Sequence, residues 1–236
     1  MRRDETFALR EAGIAVPWGM GEAVLAGVGC AAGLGALLLG VGPAARALGI
    51  PGAYAALMVA GALEGMLLLA VWGMGVAKHR VGWDVLGFRG PWSQGRRWAL
   101  AAFLASVGFV ALYSLGASLL SLESMAPPRL PPEFLGSPMR ALLTFAAVVL
   151  LAPLAEEAFF RGFLLPVFVA RWRFLWGASF VSLLFGVSHG SPGLVLPGFV
   201  SGMLLSWLYY RTRSLWPCCL AHGAQNALAF SLVISL

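Results

Sequence analysis

The sequence predicts an all-α protein, a polytopic bundle of about seven transmembrane helices with a polar cavity in its C-terminal half. Of the 236 residues, 60% are hydrophobic and 11% are charged, whereas about 25% of the residues in a soluble domain are charged. So few charged side chains cannot cover a water-exposed surface. The composition therefore excludes a water-soluble globular protein, and its high apolar content excludes intrinsic disorder.

Seven apolar segments are near the length that a helix needs to cross a hydrocarbon core of about 30 Å. They lie at residues 22–42, 53–77, 98–120, 139–160, 174–189, 193–210 and 214–236. The fifth and sixth segments are the shortest. Residues 121–138 contain five prolines and are predicted as a linker, because proline interrupts helices. This linker either shapes a substrate entrance or joins two helices.

The basic residues predict the orientation of the chain, because loops rich in Lys and Arg stay on the cytoplasmic side. With the N-terminus inside, 13 Lys and Arg residues lie in inner segments and three in outer segments. We therefore predict a cytoplasmic N-terminus, an odd number of spans and an external C-terminus. The basic residues separate apolar runs and form no stripe with interleaved aromatics, so the net charge of +6 does not predict nucleic-acid binding.

The three cysteines have no spacing typical of a disulfide framework or of a thiolate zinc site. They are Cys30, Cys218 and Cys219. We interpret them as small buried apolar residues.

Ionisable residues inside apolar segments identify the candidate site, because a charged side chain at membrane depth costs about 2.5–3.5 kcal/mol. Such residues are concentrated in three motifs within the last hundred residues. The motifs are Glu156-Glu157-x-x-x-Arg161, Phe185-x-x-x-His189 and His222-x-x-x-Asn226. Outside them, Glu64 lies in the second apolar segment; it either stabilises the bundle or takes part in substrate or ion passage.

The acidic motif separates two carboxyl groups in space. On a helix, Glu157 and Arg161 face each other four residues apart, while Glu156 is rotated by about 100°. The pair holds Glu157 ionised and leaves Glu156 free to take a proton from water, as a general base does. The alternative is a solvated ion pair at a helix end.

The two histidine motifs have the same four-residue step. It places Phe185 against His189, where the ring can shield the imidazole from water, and puts His222 and Asn226 on one face. Each motif also has a structural interpretation: a lone histidine at a helix end, or hydrogen bonds that only stabilise the bundle.

Together, the three motifs predict one converging site. A carboxylate and a histidine can activate water, while a second histidine and an amide can stabilise the oxyanion of a tetrahedral intermediate. The alternative is a Zn²⁺ ion bound by Glu156, His189 and His222.

The three motifs, in this order within apolar helices, resemble those of the CPBP family of CAAX proteases and bacteriocin-processing enzymes. This family, also called Abi, is related to the type II CAAX prenyl endopeptidases. The resemblance covers residues 139–236, so we expect a catalytic core there and spans with linkers in 1–138. Residues 83–89, Trp-Asp-Val-Leu-Gly-Phe-Arg, are similar to a segment that precedes the core in bacterial members.

The resemblance implies an intramembrane endopeptidase of a bacterial inner membrane, acting on a membrane-associated protein or peptide in the lipid bilayer. It implies that Glu156 and His189 activate water and that His222 and Asn226 bind the oxyanion. Glu157 and Arg161 would then position the helix of Glu156, with Phe185 in support.

We favour a glutamate-type mechanism without a cofactor, because an amide four residues after His222 suits an oxyanion donor better than a zinc ligand. The alternative of another class is a non-catalytic immunity or scaffold protein that binds a peptide in the same cavity.

Overall fold

The computed structural model describes residues 15–90, 95–128 and 130–234. The described residues are 85% helical and contain no β-strand, which confirms the predicted all-α class. Its α-helices are α1 (Met20–Ala47), α2 (Gly52–Val71), α3 (Gly95–Leu119), α4 (Pro138–Phe145), α5 (Ala152–Glu156), α6 (Leu165–Ser188), α7 (Pro192–Thr212) and α8 (Trp216–Ile234). Three π-helical segments continue these helices without a break: Trp72–Ala77, Ala146–Leu151 and Glu157–Leu164.

Among the described residues, five helical segments are long and apolar enough to cross a membrane. They are Met20–Ala47, Gly52–Ala77, Gly95–Leu119, Pro138–Ser188 and Pro192–Thr212. The 51-residue segment Pro138–Ser188 includes two of the predicted spans. The last predicted span corresponds to α8, which is not among the five. The described chain therefore has several candidate spans, and the number seven stays a prediction.

A sharp turn at Arg173 divides the longest segment. Its φ of 64° and ψ of 170° are not helical. After the turn the chain packs back on itself, since a Cβ added to Gly177 would lie 2.6 Å from the backbone nitrogen of Val169. Only glycine fits so close to another backbone. The turn falls between the two segments predicted as separate spans.

The proline-rich linker contains two short 3₁₀ turns, Glu123–Met125 and Pro132–Leu135. The first turn packs against α7. Ser137 then begins α4, because its Oγ accepts a hydrogen bond from the Arg140 backbone nitrogen at 3.3 Å.

The predicted orientation depends partly on basic residues that lie outside the described residues. These are Arg2, Arg3, Arg10 and Arg129. The orientation stays a prediction.

Helices α6 and α7 pack closely and bring two of the motif-bearing regions together. A Cβ added to Gly198 of α7 would lie 2.8 Å from the Cα of Gly186 in α6. Small residues allow helix backbones to approach in this way. The contact places Phe185, the neighbour of Gly186, inside the bundle, where it is 2% exposed.

The segment of residues 83–89 lies against the turn between α7 and α8. The Leu86 carbonyl accepts a hydrogen bond from the Tyr209 hydroxyl at 3.0 Å, and the Gly87 carbonyl accepts one from the Leu215 nitrogen at 2.8 Å. Gly87 has a φ of 104°, which L-residues rarely adopt. Hydrogen bonds to the backbone carbonyls of this segment thus join the N-terminal half of the chain to α7 and to the start of α8.

Candidate active site

A buried ionic cluster lies where the π-helical segment Glu157–Leu164 meets α8. Glu157 and Arg161 are both 0% exposed. Arg161 Nη1 donates a hydrogen bond to Glu157 Oε1 at 2.9 Å, and His222 Nδ1 lies 2.9 Å from the same oxygen. Since the pair is fully buried, the alternative of a solvated ion pair at a helix end is wrong.

Arg161 also connects the cluster to two other helices. Its Nη2 donates to the Gly202 carbonyl of α7 at 3.4 Å. Its guanidinium carbon lies 4.3 Å from the centre of the Phe185 ring of α6, which is a cation–π contact. A buried charge needs several such partners to offset its loss of hydration. These contacts fix the helix that carries Glu156.

Glu156 is the last residue of α5, and its side chain is 18% exposed. His222 Nε2 lies 3.8 Å from Glu156 Oε2, close enough for an ion pair and too far for a direct hydrogen bond. His222 therefore lies between the two carboxyl groups of the motif. Glu156 Oε2 is buried and has no hydrogen-bond partner. The site thus contains a carboxyl oxygen that lies beside an imidazole and accepts no hydrogen bond from another side chain.

His189 follows the last residue of α6 and contacts the ring of Phe185, with 4.9 Å between ring centres. Its Nδ1 lies 2.7 Å from the Phe185 carbonyl oxygen. A carbonyl only accepts hydrogen bonds, so Nδ1 carries the proton and Nε2 is left as an acceptor when the ring is neutral. His189 is exposed. Phe185 packs against it as predicted, but the expected shielding from water is only partial, because the imidazole lies at the end of the helix.

Phe185 links the two histidines. Its ring centre lies 5.6 Å from that of His222, and the two rings meet edge to face. Within the described residues, the Glu156 carboxyl group lies next to the imidazole of His222. His189 instead contacts the ring of Phe185, which in turn contacts His222.

Asn226 lies one turn beyond His222 on α8. Its Nδ2 donates to the Val148 carbonyl of the π-helical segment Ala146–Leu151 at 2.9 Å. A π-helix shifts the backbone hydrogen bonds from the i−4 to the i−5 register, and such segments are frequent at functional sites. One N–H of the amide is therefore used by the backbone, and the other stays available to a ligand.

A polar contact that the sequence analysis did not assign fixes the rotation of α8. Gln225 Oε1 accepts hydrogen bonds from Ser106 Oγ of α3 at 3.0 Å and from Ser201 Oγ of α7 at 3.1 Å. The signal for it was present: Gln225 lies within the third motif, and each serine lies in an apolar segment. The three side chains hold α8 so that His222 faces the acidic motif.

The described residues contain an open apolar groove of about 560 Å³, lined by Trp172, Trp176, Ser179, Phe180, Leu183 and Phe199. None of these is a predicted site residue. The polar cavity therefore stays a prediction.

The choice between a metal-free site and a zinc site stays a prediction. Among the described side chains, no three of His, Cys, Asp or Glu are grouped in a way that could hold a metal ion.

The fold and the site define an integral membrane protein of apolar helices around a buried Glu-Arg-His cluster. Residues 138–228 match the family model described as type II CAAX prenyl endopeptidase Rce1-like. The match covers 91 of the 236 residues and includes all three motifs. It confirms the resemblance to the CAAX protease family predicted from the motifs. Searches of curated proteins and of solved structures found no match.

Proposed function

We propose that the chain is an intramembrane endopeptidase that hydrolyses a peptide bond in a membrane-associated protein or peptide. One observation carries the proposal: the unpartnered carboxyl oxygen of Glu156 lies 3.8 Å from His222, beside a fully buried Glu157–Arg161 pair. This is the arrangement that a general base needs, because a rigid ionic cluster holds a free carboxylate beside a hydrogen-bond donor. The family match over residues 138–228 supports a membrane peptidase.

In the proposed mechanism, Glu156 accepts a proton from water while Nε2 of His189 assists by accepting a hydrogen bond. The water oxygen forms a bond to the carbonyl carbon of the substrate and produces a tetrahedral oxyanion. His222, protonated on both ring nitrogens so that its Nε2–H is free to donate, and Asn226, through its free amide N–H, donate hydrogen bonds to the oxyanion. The C–N bond then breaks, and Glu156 returns its proton to the leaving amine.

In this mechanism, Glu157 and Arg161 do not contact the substrate; they hold the reacting side chains in position. Glu157 accepts the Nδ1–H of His222 and so directs Nε2 of that ring toward Glu156. Arg161 neutralises Glu157 and anchors it to α6 and α7. We propose a glutamate-type mechanism in which no step needs a metal.

The remaining parts of the proposal concern the membrane. We propose seven spans, a cytoplasmic N-terminus and a bacterial inner membrane, with a hydrated cavity that admits water to Glu156. The imbalance of 13 inner against three outer basic residues supports this orientation.

The proposal is tested by comparing membranes from cells that express the wild type or Glu156→Gln. Mass spectrometry of new protein termini measures the cleavage products. We expect at least one membrane-protein terminus that is present with the wild type and lost with Glu156→Gln. Glu123→Gln is the matched control, because Glu123 is exposed in the linker. Equal termini from the wild type and Glu156→Gln, together with full cellular function of the variant, would instead favour the non-catalytic peptide-binding protein.

A further inference from the structure

The open apolar groove of about 560 Å³ lies on α6, beside the turn at Arg173. The turn divides α6 into a first arm, residues 165–172, and a second arm, residues 174–188. Four lining residues follow one face of the second arm, at steps of three and four residues: Trp176, Ser179, Phe180 and Leu183. Trp172 of the first arm and Phe199 of α7 complete the lining. The groove therefore extends from the turn along the helix for about 10 Å, the rise of seven helical residues.

An aromatic cluster holds the shape of the groove by joining the two arms of α6. The ring centre of Phe180 lies 4.8 Å from that of Phe168 and 5.2 Å from that of Trp172. Phe168 is buried, whereas Trp176 in the groove is 70% exposed. Because the packed rings fix the walls in advance, binding of an apolar molecule requires little further ordering of the protein. The groove is therefore a preformed apolar site that a single copy of the chain leaves open.

Two arginines lie at the end of the groove that the turn forms. Arg171 and Arg173 are the chain neighbours of Trp172, which lines the groove. Both are exposed, and neither forms a hydrogen bond, an ion pair or a ring contact with another described residue. A guanidinium group binds a phosphate through two parallel N–H groups, so such a pair of unpaired arginines suits a phosphate.

A third cation lies at the same end of the bundle. The guanidinium carbon of Arg213 lies 4.6 Å from the ring centre of Tyr210, which in turn lies 4.6 Å from that of Phe174 in the turn region. After Glu157 the chain contains no Asp or Glu, so α6 and α7 supply no carboxylate to these arginines. The end of the groove therefore has an excess of positive charge, which favours an anionic ligand.

We propose that the groove binds one phospholipid with an anionic headgroup: an acyl chain lies in the groove, and the headgroup phosphate contacts Arg171 and Arg173. Both α6 and α7 lie in candidate membrane spans, where acyl chains surround the protein. Basic residues beside membrane helices attract anionic headgroups. A free phosphate would leave the apolar groove unfilled, and a zwitterionic headgroup would bring its own cation among the arginines. The bound lipid joins the two arms of α6 and stabilises the turn between them.

Native mass spectrometry of the purified full-length protein counts the bound lipids and measures their affinity. The probes are phosphatidylglycerol and phosphatidylcholine with the same acyl chains, which differ in headgroup charge. We expect one phosphatidylglycerol to bind at least about tenfold more tightly than phosphatidylcholine. In the double variant Arg171→Gln with Arg173→Gln we expect that affinity to fall about ten- to thirtyfold, because each arginine near an anionic headgroup contributes about fivefold.

Two further variants separate the headgroup contact from the acyl-chain contact. Arg46→Gln with Arg80→Gln is the matched control, since it removes two exposed arginines that do not line the groove, and we expect wild-type affinity. Ser179→Phe keeps every arginine and adds a ring inside the groove, and we expect it to lose the bound lipid. Thermal unfolding gives a second measurement: phosphatidylglycerol at about 100 times its Kd should raise the Tm of the wild type by about 5–11 °C and leave that of Ser179→Phe unchanged.

Several results would overturn the proposal. Equal affinity of the wild type for the two lipids would remove the headgroup preference, and an equal loss in both double arginine variants would show a general effect of surface charge. Wild-type lipid binding by folded Ser179→Phe would place the acyl chain outside the groove. Displacement of the lipid by millimolar inorganic phosphate would show that the arginines bind phosphate without the groove.

Two other occupants of the groove are tested in the same samples. A dimer that Ser179→Phe separates would show that a second copy covers the groove, which overturns the proposal. The other occupant is a quenched fluorescent peptide with a farnesylated cysteine three residues from its C-terminus, the type of substrate that the family description names. Displacement of the lipid by this peptide would show that the groove binds substrate and would also overturn the proposal. Hydrolysis of the same peptide is the peptide assay for the proposed function, on which lipid binding does not depend.

Discussion

Removing the Arg161 guanidinium leaves the fully buried Glu157 carboxylate without its cation. In Arg161→Met, Glu157 keeps only the hydrogen bond from His222, and the Gly202 carbonyl and the Phe185 ring also lose their contacts. Breaking a buried ion pair by removing one partner costs about 3–5 kcal/mol. For a chain of this length, 1 kcal/mol shifts Tm by about 2–4 °C, so we expect Tm to fall by about 6–20 °C.

The assay is thermal unfolding of the purified protein in detergent, followed by intrinsic tryptophan fluorescence. Arg171→Met is the matched control, since Arg171 is exposed, and we expect its Tm to stay within about 2 °C of the wild type. The double variant Glu157→Gln with Arg161→Met removes both charges and should recover part of the lost stability, because a neutral amide costs less to bury than a charge.

The result that would refute this reasoning is a Tm of Arg161→Met equal to that of Arg171→Met. It would mean that Glu157 is solvated or neutral in the folded protein and that the cluster does not hold the helix of Glu156. Equal Tm values for the single variant and the double variant would show that the lost packing of Arg161, and not its charge, stabilises the bundle.

Four further predictions follow from the same contacts. Asn226→Ala should lower kcat about 10²–10³-fold with KM unchanged, the cost of one oxyanion donor; unchanged kcat in the peptide assay would contradict that role. Phe185→Ala should destabilise the protein by about 3–5 kcal/mol, measured by thermal unfolding, because a buried ring is lost from the α6 core. Gly162→Ala should lower Tm, since its Cβ would lie 3.0 Å from the Leu86 carbonyl oxygen, whereas Gly27→Ala, with nothing within 4 Å, should not; equal Tm values would show that the backbone yields there. Phenanthroline should leave peptide hydrolysis unchanged, and a loss of activity that Zn²⁺ restores would contradict the metal-free mechanism.

The parts of the site that depend on neighbours along one helix could be predicted from the sequence. The four-residue steps from Glu157 to Arg161 and from Phe185 to His189 bring each pair into contact, as the helical repeat requires. The all-α class could be predicted because composition alone excludes a soluble surface.

Other features depend on contacts between distant segments and could not be read from the spacing. The resemblance implies that His189 assists Glu156, and this assignment stays a prediction. The spacing did not indicate that the imidazole of His222 lies 3.8 Å from Glu156, because the packing of α8 brings it there. The π-helical segments also gave no signal, because a change from the i−4 to the i−5 register needs only a small local difference in energy that tertiary packing decides.

The family match begins at residue 138, but the folded unit does not begin there. Residues 83–89 form hydrogen bonds with residues inside the matched region. A fragment that begins at residue 138 would leave the Tyr209 hydroxyl and the Leu215 amide without their acceptors. It would also lack Trp18, whose indole N–H donates to the Phe163 carbonyl at 2.9 Å, inside the segment that carries Glu157 and Arg161. We therefore expect that fragment to misfold on its own and to regain its shape when the first half is supplied as a separate polypeptide.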